Sequence, residues 1–231
     1  MKGLILVTSL LVSSGAWAAE PAHERLGDAA TVFHEIMSTP DKGIPQDLLA
    51  KSRCVIIIPS MKKAAFVVGA QYGRGFAECR KSDGVGWTAP AAMRMEGGSF
   101  GFQIGGTETD LVLLVMNEGG MHKLLGDKFT LGADASVAAG PVGRTASADT
   151  DVKMNAEILS WSRAHGVFAG ISLSGATLRP DNDSNAALYG KKLSNREVLS
   201  GEIPPPPEAH ALTAELDRYS SRAGSADREK H

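Results

Sequence analysis

The strongest constraint on this chain is an unbroken run of four β-branched residues at positions 55–58, Val-Ile-Ile-Ile. Side chains branched at the β-carbon are stiff about χ1 and fit a pleated sheet better than a helix. Because the run is continuous rather than alternating, it predicts a strand that is buried on both faces. Pro59 has no amide proton to donate, so it ends the run, residues 60–63 form a predicted turn, and residues 64–68 begin a returning strand. The stretch therefore predicts a bent hairpin at the centre of a β-rich core.

The first 18 residues have the pattern of a secretory signal peptide. Lys2 gives a basic start, residues 4–12 are apolar, and Ala16-Trp17-Ala18 matches an A-x-A cleavage site. There is no cysteine at the cleavage point to carry an N-terminal lipid. We therefore predict that residues 1–18 are removed and that the mature chain is exported, periplasmic or secreted.

Composition bounds the remaining possibilities. The chain has 231 residues, 43% of them hydrophobic, and a formal net charge of −2. A nearly neutral chain lacks the basic stripe that nucleic acid requires, so nucleic acid is not predicted as a partner. Twenty-six glycines and few aromatic residues favour strands with close backbone contacts over a helical bundle.

The two cysteines are compatible with either of two states. A disulfide is permitted in an exported protein. With a turn at residues 60–63, however, simple hairpin register places Cys54 opposite Gly69, and a bridge needs Cα atoms within about 7 Å. A disulfide between Cys54 and Cys79 and a pair of small buried thiols both remain open on this evidence.

Helices are predicted at the two ends of the chain. Residues 24–37 carry apolar side chains at the i, i+3, i+4 and i+7 spacing of an amphipathic helix, with Phe33 among them. We expect this helix to pack on the sheet, with a membrane-surface helix as the alternative. Later strands are predicted at residues 129–139, at 152–161 with a β-bulge, and at 167–173, and closing helices at 181–189 and 194–199. The fold class is α+β and β-rich: a strongly bent antiparallel sheet or barrel with short terminal helices. Residues 24–201 form one domain, and residues 202–231 form a Pro-rich spacer and flexible tail.

A set of glycine-punctuated strand segments resembles the SYLF domain family, which is also named after a yeast actin-binding protein. The segments are Ile58-Pro59, residues 66–69 (FVVG) with 72–75 (YGRG), 97–105 (GGSFGFQIG), 111–117 (LVLLVMN), 129–134 (FTLGAD), 138–144 (AAGPVGR), 161–163 (WSR) and 166–170 (GVFAG). The resemblance covers residues 26–201 and is to an exported bacterial member. It implies binding of acidic lipids, and in some members of actin. The export signal argues against actin as a partner of this chain.

The catalytic motifs in the sequence lack their structural context. Residues 97–101 match G-x-S-x-G, but an alternating strand follows Ser99 where a nucleophile elbow needs a helix. Residues 84–89 match G-x-G-x-x-A with no helix N-terminus after them. The histidines and cysteines are not spaced as metal ligands. We predict no enzyme activity, no cofactor and no metal.

Cationic residues near the first hairpin are the predicted lipid-binding site. With Met61 at the predicted hairpin tip, an apolar side chain accompanies lysines at the point that would meet an anionic surface. The site residues are Lys42, Lys51, Arg53, Met61, Lys62, Lys63 and Arg74. The predicted function is non-enzymatic binding of phospholipid or another acidic lipid at the cell envelope. The alternative is a structural or protein-interaction module of the envelope without lipid specificity.

Overall fold

A computed structural model of the chain describes residues 20–39, 43–65, 68–100, 105–141, 156–164, 166–168 and 173–220. It confirms the predicted fold class, a mixed α+β domain with a strongly curled sheet and short helices at both ends. The helices are α1 (Ala22–Ser38), α2 (Gln46–Lys51), α3 (Glu118–Leu124), α4 (Asn182–Tyr189), α5 (Asn195–Val198) and α6 (His210–Ser220). The strands are β1 (Cys54–Ala65), β2 (Val68–Cys79), β3 (Ala91–Phe100), β4 (Gly105–Val115), β5 (Phe129–Thr130), β6 (Val137–Ala139), β7 (Ile158–Ala164), β8 (Val167–Phe168) and β9 (Thr177–Pro180).

The nine strands of the described residues belong to one sheet in the order β5-β9-β3-β2-β1-β4-β7-β6, with β8 paired to β7. Strands β1 to β4 are long and antiparallel, and β1 lies between β2 and β4 at the centre. In the described residues, none of the helices has the length and apolar character needed to cross a bilayer.

The central strand is buried on both faces, as the run of β-branched residues predicts. Val55 and Ile57 contact helix α1, helix α6 and their neighbours on one face of the sheet. Ile56 and Ile58 contact the opposite core, which α3 and α5 help to close. All four side chains are at most 1% exposed. Two separate cores therefore lie on the two faces of one curved sheet, and we call the face under α1 and α6 the helix-covered face.

The predicted turn at residues 60–63 is wrong. Strand β1 continues to Ala65. Its register shifts between Ile57 and Lys62 against β2 and between Ile58 and Met61 against β4, which marks a β-bulge. Pro59 does not end the strand, because the extra residue of the bulge absorbs the missing ladder bond and the Ser60 amide donates to the Asp110 carboxylate at 3.1 Å.

The longer hairpin changes the cysteine register. Cys54 lies opposite Cys79 rather than Gly69. The two residues form a disulfide with an Sγ–Sγ distance of 2.01 Å. The register prediction was wrong because it placed the turn too early.

Other strand predictions are changed in detail. The predicted strand 129–139 is two short strands, β5 and β6, separated by a turn. Of the predicted strand 152–161, residues 152–155 lie outside the described residues, and β7 pairs with β4 in continuous register, so the predicted β-bulge is absent from β7. Its apolar parity slips because Ile158 and Leu159 are buried on opposite faces. Of the predicted strand 167–173, the structure describes β8 and residue 173, and β9 was not predicted.

The closing helices begin where side chains cap them. The Asp181 carboxylate accepts the Ser184 amide at the start of α4, and Ser194 with Glu197 forms a capping box at the start of α5. Helix α6 lies beyond residue 201, and its Leu212 and Leu216 are buried against the layer that contains α1. Phe33 of α1 is fully buried and meets Tyr219 edge-on, with ring centroids 6.1 Å apart.

Candidate functional site

A cleft of about 560 Å³ opens on the helix-covered face, where β1 bulges beside the start of α1. Its walls come from α1 and the residues before it, from the bulge of β1, from β2 and from β4. The lining residues are Glu20, Arg25, Asp28, Pro59, Ser60, Lys62, Tyr72, Gly73, Arg74 and Glu108. Three cations and three carboxylates therefore share one concave surface.

Two glycines let β2 approach the bulge closely enough to form the cleft. A Cβ at Gly73 would lie 2.6 Å from the Ile58 side chain, and one at Gly75 would lie 1.9 Å from the Ile57 carbonyl oxygen. Ser60 in the bulge has a φ of 45°, a left-handed conformation that is uncommon for residues other than glycine. Such strain is most often kept at functional sites. The sequence Gly-Arg-Gly thus places one arginine, Arg74, beside the bulge.

Arg74 is held by a buried carboxylate. Its Nε lies 2.8 Å from Asp181 Oδ2, and its Nη2 donates to Asp181 Oδ1 at 3.3 Å. Asp181 is 1% exposed and also accepts the Ser184 hydroxyl at 2.8 Å. A two-point guanidinium–carboxylate contact fixes orientation as well as charge. The Arg74 guanidinium is therefore held in place at the cleft wall.

Arg25 of α1 contributes a second guanidinium. It donates to the Glu20 carbonyl oxygen at 2.6 Å and to Ser184 Oγ at 3.4 Å. Burial and the neighbouring positive charge of Arg74 lower the pKa of Arg25. The positive charge of Arg74 is thus close enough to affect Arg25, and the buried carboxylate of Asp181 is near both guanidinium groups.

The acidic residues of the cleft lie toward its rim. A hydrogen bond from the Asp28 carboxyl and partial burial raise the pKa of Glu20. The neighbouring Asp28 carboxyl therefore disfavours the charged form of Glu20. Lys62 Nζ lies 3.5 Å from Glu108 Oε1 in an exposed pair. The cleft wall is therefore cationic and its rim is mixed.

The structure divides the predicted site residues between the two ends of β1. Lys62, Lys63 and Arg74 lie toward the end with the bulge, and Lys62 and Arg74 line the cleft. Lys51 pairs with Asp47 on α2, and Arg53 pairs with Glu118 at 3.0 Å, both at the opposite end of β1. Lys42 lies outside the described residues.

Two details of the predicted site are wrong. Lys62 and Lys63 lie within β1 and not at a hairpin tip. Met61 is 1% exposed and packs in the core opposite the helix-covered face, because the bulge turns its side chain inward. It is not available to enter a lipid interface.

Sequence reasoning missed two residues of the site. Arg25 was not among the predicted site residues, yet it is 3% exposed and lines the cleft. Asp181 was treated only as a helix start. The available signal was Arg74 between two glycines, which marks a side chain at a point of close backbone approach. Its partners could not be named, because they lie 49 and 107 positions away along the chain.

The site has the chemistry of binding. Guanidinium groups donate several hydrogen bonds and do not lose their charge at physiological pH, so they suit oxyanions. Among the described residues, no group of three or more His, Cys, Asp or Glu side chains is arranged to hold a metal ion. The arrangement is suited to an anionic ligand.

Comparison with known proteins identifies relatives. A family model described as "Ysc84: Las17-binding protein actin regulator" matches residues 96–219. The human SH3 domain-containing YSC84-like protein 1 is 33% identical over 193 residues, which are 82% of this chain and 56% of that protein. Its Xenopus laevis counterpart is 35% identical over 185 residues, 79% of this chain and 55% of that protein. LAS seventeen-binding protein 3 of Saccharomyces cerevisiae is 32% identical over 180 residues, 77% of this chain and 39% of that protein.

These relatives confirm the resemblance to the SYLF family and correct one expectation. The chain spans about half the length of the animal relatives, and less of the yeast protein. The prediction that export argues against actin as a partner is wrong, because the matching family is described as that of an actin regulator.

Proposed function

The chain belongs to the Ysc84 family, and within that family we propose that it is a non-enzymatic, exported protein that binds phospholipid or another acidic lipid. The observation that carries the proposal is the cleft in which Arg25, Lys62 and Arg74 converge. Phosphate oxygens are the acceptors that guanidinium groups bind best. A lipid head group would supply those oxygens at a surface.

The border of the cleft supports contact with a surface. Tyr72 is 45% exposed and lies opposite Lys62 across the β1–β2 pair. A tyrosine ring next to a lysine provides an apolar body and a cationic head, a combination that suits the polar boundary of a membrane. Lys63, the next residue of β1, adds a further positive charge at this end of the strand.

The distribution of lysines and arginines along β1 gives a test with an internal control. Nine residues separate Arg53 from Lys62, so at about 3.3 Å per residue the two ends lie roughly 30 Å apart. We expect Lys62→Glu with Lys63→Glu to weaken binding to phosphatidylcholine vesicles containing phosphatidylglycerol. Lys51→Glu with Arg53→Glu makes the same change of charge at the other end. Each cation near an anionic surface contributes about 1 kcal/mol, so the first variant should lose at least 100-fold in affinity at low salt.

Vesicle flotation over a range of salt concentrations measures the effect. The difference between the two variants should shrink near physiological salt, where the Debye length is about 8 Å. Both variants should fold, since Lys51, Arg53 and Lys62 are exposed and Lys63 is only partly buried. Equal loss in both variants would mean that only net charge matters, and no binding by the unaltered protein would remove the lipid proposal.

The second candidate function is a protein-interaction module without lipid specificity. The observation that favours it is the description of the family and of its yeast relative as Las17-binding proteins. The vesicle experiment separates the two, because a module of this second kind would float with none of the anionic vesicles.

A further inference from the structure

Strand β4 places one residue, Asp110, opposite the two residues of the β1 bulge, Pro59 and Ser60. The ladder between β1 and β4 is interrupted at this point and continues on both sides of it. The Asp110 carboxylate takes the place of a ladder partner, because its Oδ1 accepts the Ser60 amide at 3.1 Å. Ser60 has a φ of 45°, and a residue keeps such a conformation only where its surroundings hold it there. Asp110 is therefore one of the groups that keep the bulge in its shape.

The second oxygen of Asp110 is held by Arg163 of β7. The two residues are directly opposite each other in the β4–β7 pair, and Arg163 Nη2 donates to Asp110 Oδ2 at 3.1 Å. The same Nη2 donates to the carboxylate of Glu35 on α1. The side chain of Arg163 is 12% exposed and that of Asp110 is 20% exposed, so salt screens their contact less than it screens a surface pair. One guanidinium group thus joins α1 to the residue that holds the bulge.

Arg163 connects the two walls of the cleft from outside it. Among the described residues, those that line the cleft include neither Arg163 nor Asp110. One wall is the bulge, which Arg163 contacts through Asp110. The other wall is the start of α1, with Arg25 and Asp28, and Arg163 contacts the same helix at Glu35. Ten residues of helix, at about 1.5 Å each, separate Arg25 from Glu35, so both belong to one rigid element.

We propose that Asp110 and Arg163 are positioning residues of the cleft, and that they hold the β1 bulge and helix α1 at the separation at which the cations of the cleft converge on one ligand. This inference rests on the proposed function, because it concerns how the cleft is held for an anionic ligand. Neither residue has to touch that ligand. Loss of their contacts lets Ser60 relax toward an ordinary extended backbone, and Lys62, two residues further along β1, moves with it.

The sign of one substitution separates positioning from simple electrostatics. Asp110→Asn keeps the shape of the side chain and removes its negative charge. Because a carboxylate near the cleft repels an anionic ligand, electrostatics alone predicts tighter binding. Positioning predicts weaker binding, because the bonds from Ser60 and Arg163 both lose a charged acceptor. Glu108→Gln is the matched control, since it removes the same charge from an exposed residue of the same strand at the cleft.

Flotation of phosphatidylcholine vesicles containing phosphatidylglycerol, at low salt, measures the two effects. We expect Asp110→Asn to weaken binding about tenfold, as loss of a hydrogen bond to a charged group would, and Glu108→Gln to strengthen it about threefold. Circular dichroism checks first that each variant is folded. Tighter binding by Asp110→Asn overturns the inference.

A double-mutant cycle tests whether Arg163 acts through the bulge. Arg163→Gln should weaken vesicle binding about tenfold, whereas Arg53→Gln, which removes a paired arginine at the opposite end of β1, should change it less than about twofold. Glycine adopts a positive φ without steric cost, so Ser60→Gly should make the bulge less dependent on these contacts. In the Ser60→Gly background we expect Arg163→Gln to change binding less than about threefold. An equal effect in both backgrounds would mean that Arg163 acts by its own charge, and the inference would be wrong.

NMR gives a readout that needs no lipid. In Asp110→Asn, the Ser60 amide proton should move upfield and exchange faster, because its acceptor is no longer charged, and the Nε–H signals of Arg25 and Arg74 should shift with it. Glu108→Gln should leave the Ser60 amide signal in place. If the unaltered protein binds no vesicle but these shifts occur, the lipid function fails and the positioning role stands. A Ser60 amide that does not respond to Asp110→Asn overturns the positioning role, whatever the vesicles show, and this arm decides the matter if Arg163→Gln does not fold.

Discussion

Along strands β2 and β3, the side chains on the helix-covered face change from buried and apolar to charged and partly exposed within two residues. Phe76 and Ala92 lie opposite each other and are buried beneath the helices, whereas Arg74 and Arg94, the next opposed pair on that face, lie at the edge of the helix layer. Residues i and i+2 of a strand share a face, so the two pairs lie on the same face of the sheet and differ in side chain and in what covers them. The first pair lies in the core, and the second places two guanidinium groups, each paired with a carboxylate, at a partly exposed position. The same strands therefore contribute core residues beneath the helices and candidate site residues beyond the end of the helix layer.

Buried carboxyl groups also have different partners in two parts of this face. One part is the covered half, which lies beneath α1 and α6, and the other is the edge of the helix layer. Glu78, in the covered half, is 1% exposed, and its partner there is the hydroxyl of Thr213 on α6. Asp181, at the edge, is equally buried but contacts the Arg74 guanidinium at two points. Burial raises the pKa of Glu78 well above its ordinary value, and nearby Asp217 raises it further. Burial beneath the helix thus disfavours the charged form of Glu78, while the acid at the edge positions a cation.

The largest expected effect comes from closing the space between β1 and β2. In Gly75→Ala, the new methyl group would lie 1.9 Å from the Ile57 carbonyl oxygen, so one of the two strands must move. We expect the free energy of unfolding to fall by about 4 kcal/mol or more, the range of exceptional substitutions. Chemical denaturation followed by circular dichroism measures it.

Gly98→Ala is the control for that substitution. The nearest atom to its new methyl group would be the Gly69 carbonyl oxygen at 3.9 Å, an ordinary contact. We expect a change within about 0.5 kcal/mol. Equal stability of the two variants would contradict the close approach that forms the cleft.

Phe33→Ala tests the covered half alone. Phe33 is fully buried where α1 and α6 pack on the sheet. Removing its ring should therefore reduce the free energy of unfolding by about 3 kcal/mol or more. Vesicle binding should be unchanged below the melting temperature of the variant. Thr31→Ala, at an exposed position of the same helix, should leave both properties nearly unchanged. If Phe33→Ala removes vesicle binding without loss of stability, α1 itself is the membrane contact.

The sequence predicted those parts of the fold that depend only on residues close together along the chain. The run at 55–58 predicts a doubly buried strand, and the spacing around Phe33 predicts a packed helix. The opposition of Arg74, Arg94 and Arg179 was not predictable, because it depends on the register of three strands. A one-residue shift in either of these pairings would reverse the face of every side chain on the shifted strand. The register of Cys54 was misplaced because the turn of the first hairpin was predicted too early in the sequence.

Glu78 makes the stability of the covered half depend on pH. Its folded-state pKa is raised above the ordinary value of 4.5, so the folded protein binds more protons than the unfolded chain above that pH. The contribution of Glu78 to stability therefore falls as pH rises from about 4.5 to the folded-state pKa, by about 1.4 kcal/mol per pH unit, and is constant above it. In Glu78→Gln, which cannot ionise, this slope should disappear, and the variant should be more stable than the unaltered protein at the upper end of the window.

Thermal and chemical denaturation at several pH values measure this slope, with Glu208→Gln as the control. Glu208 is exposed in the turn before α6, so removing its charge should leave the slope as it is in the unaltered protein. Thr213→Val removes the hydroxyl that the Glu78 carboxyl contacts, and it should lower stability without removing the slope, because the carboxyl can still ionise. If Glu78→Gln keeps the full pH dependence, another group is responsible, and the raised pKa of the acid beneath α6 no longer distinguishes the covered half from the edge.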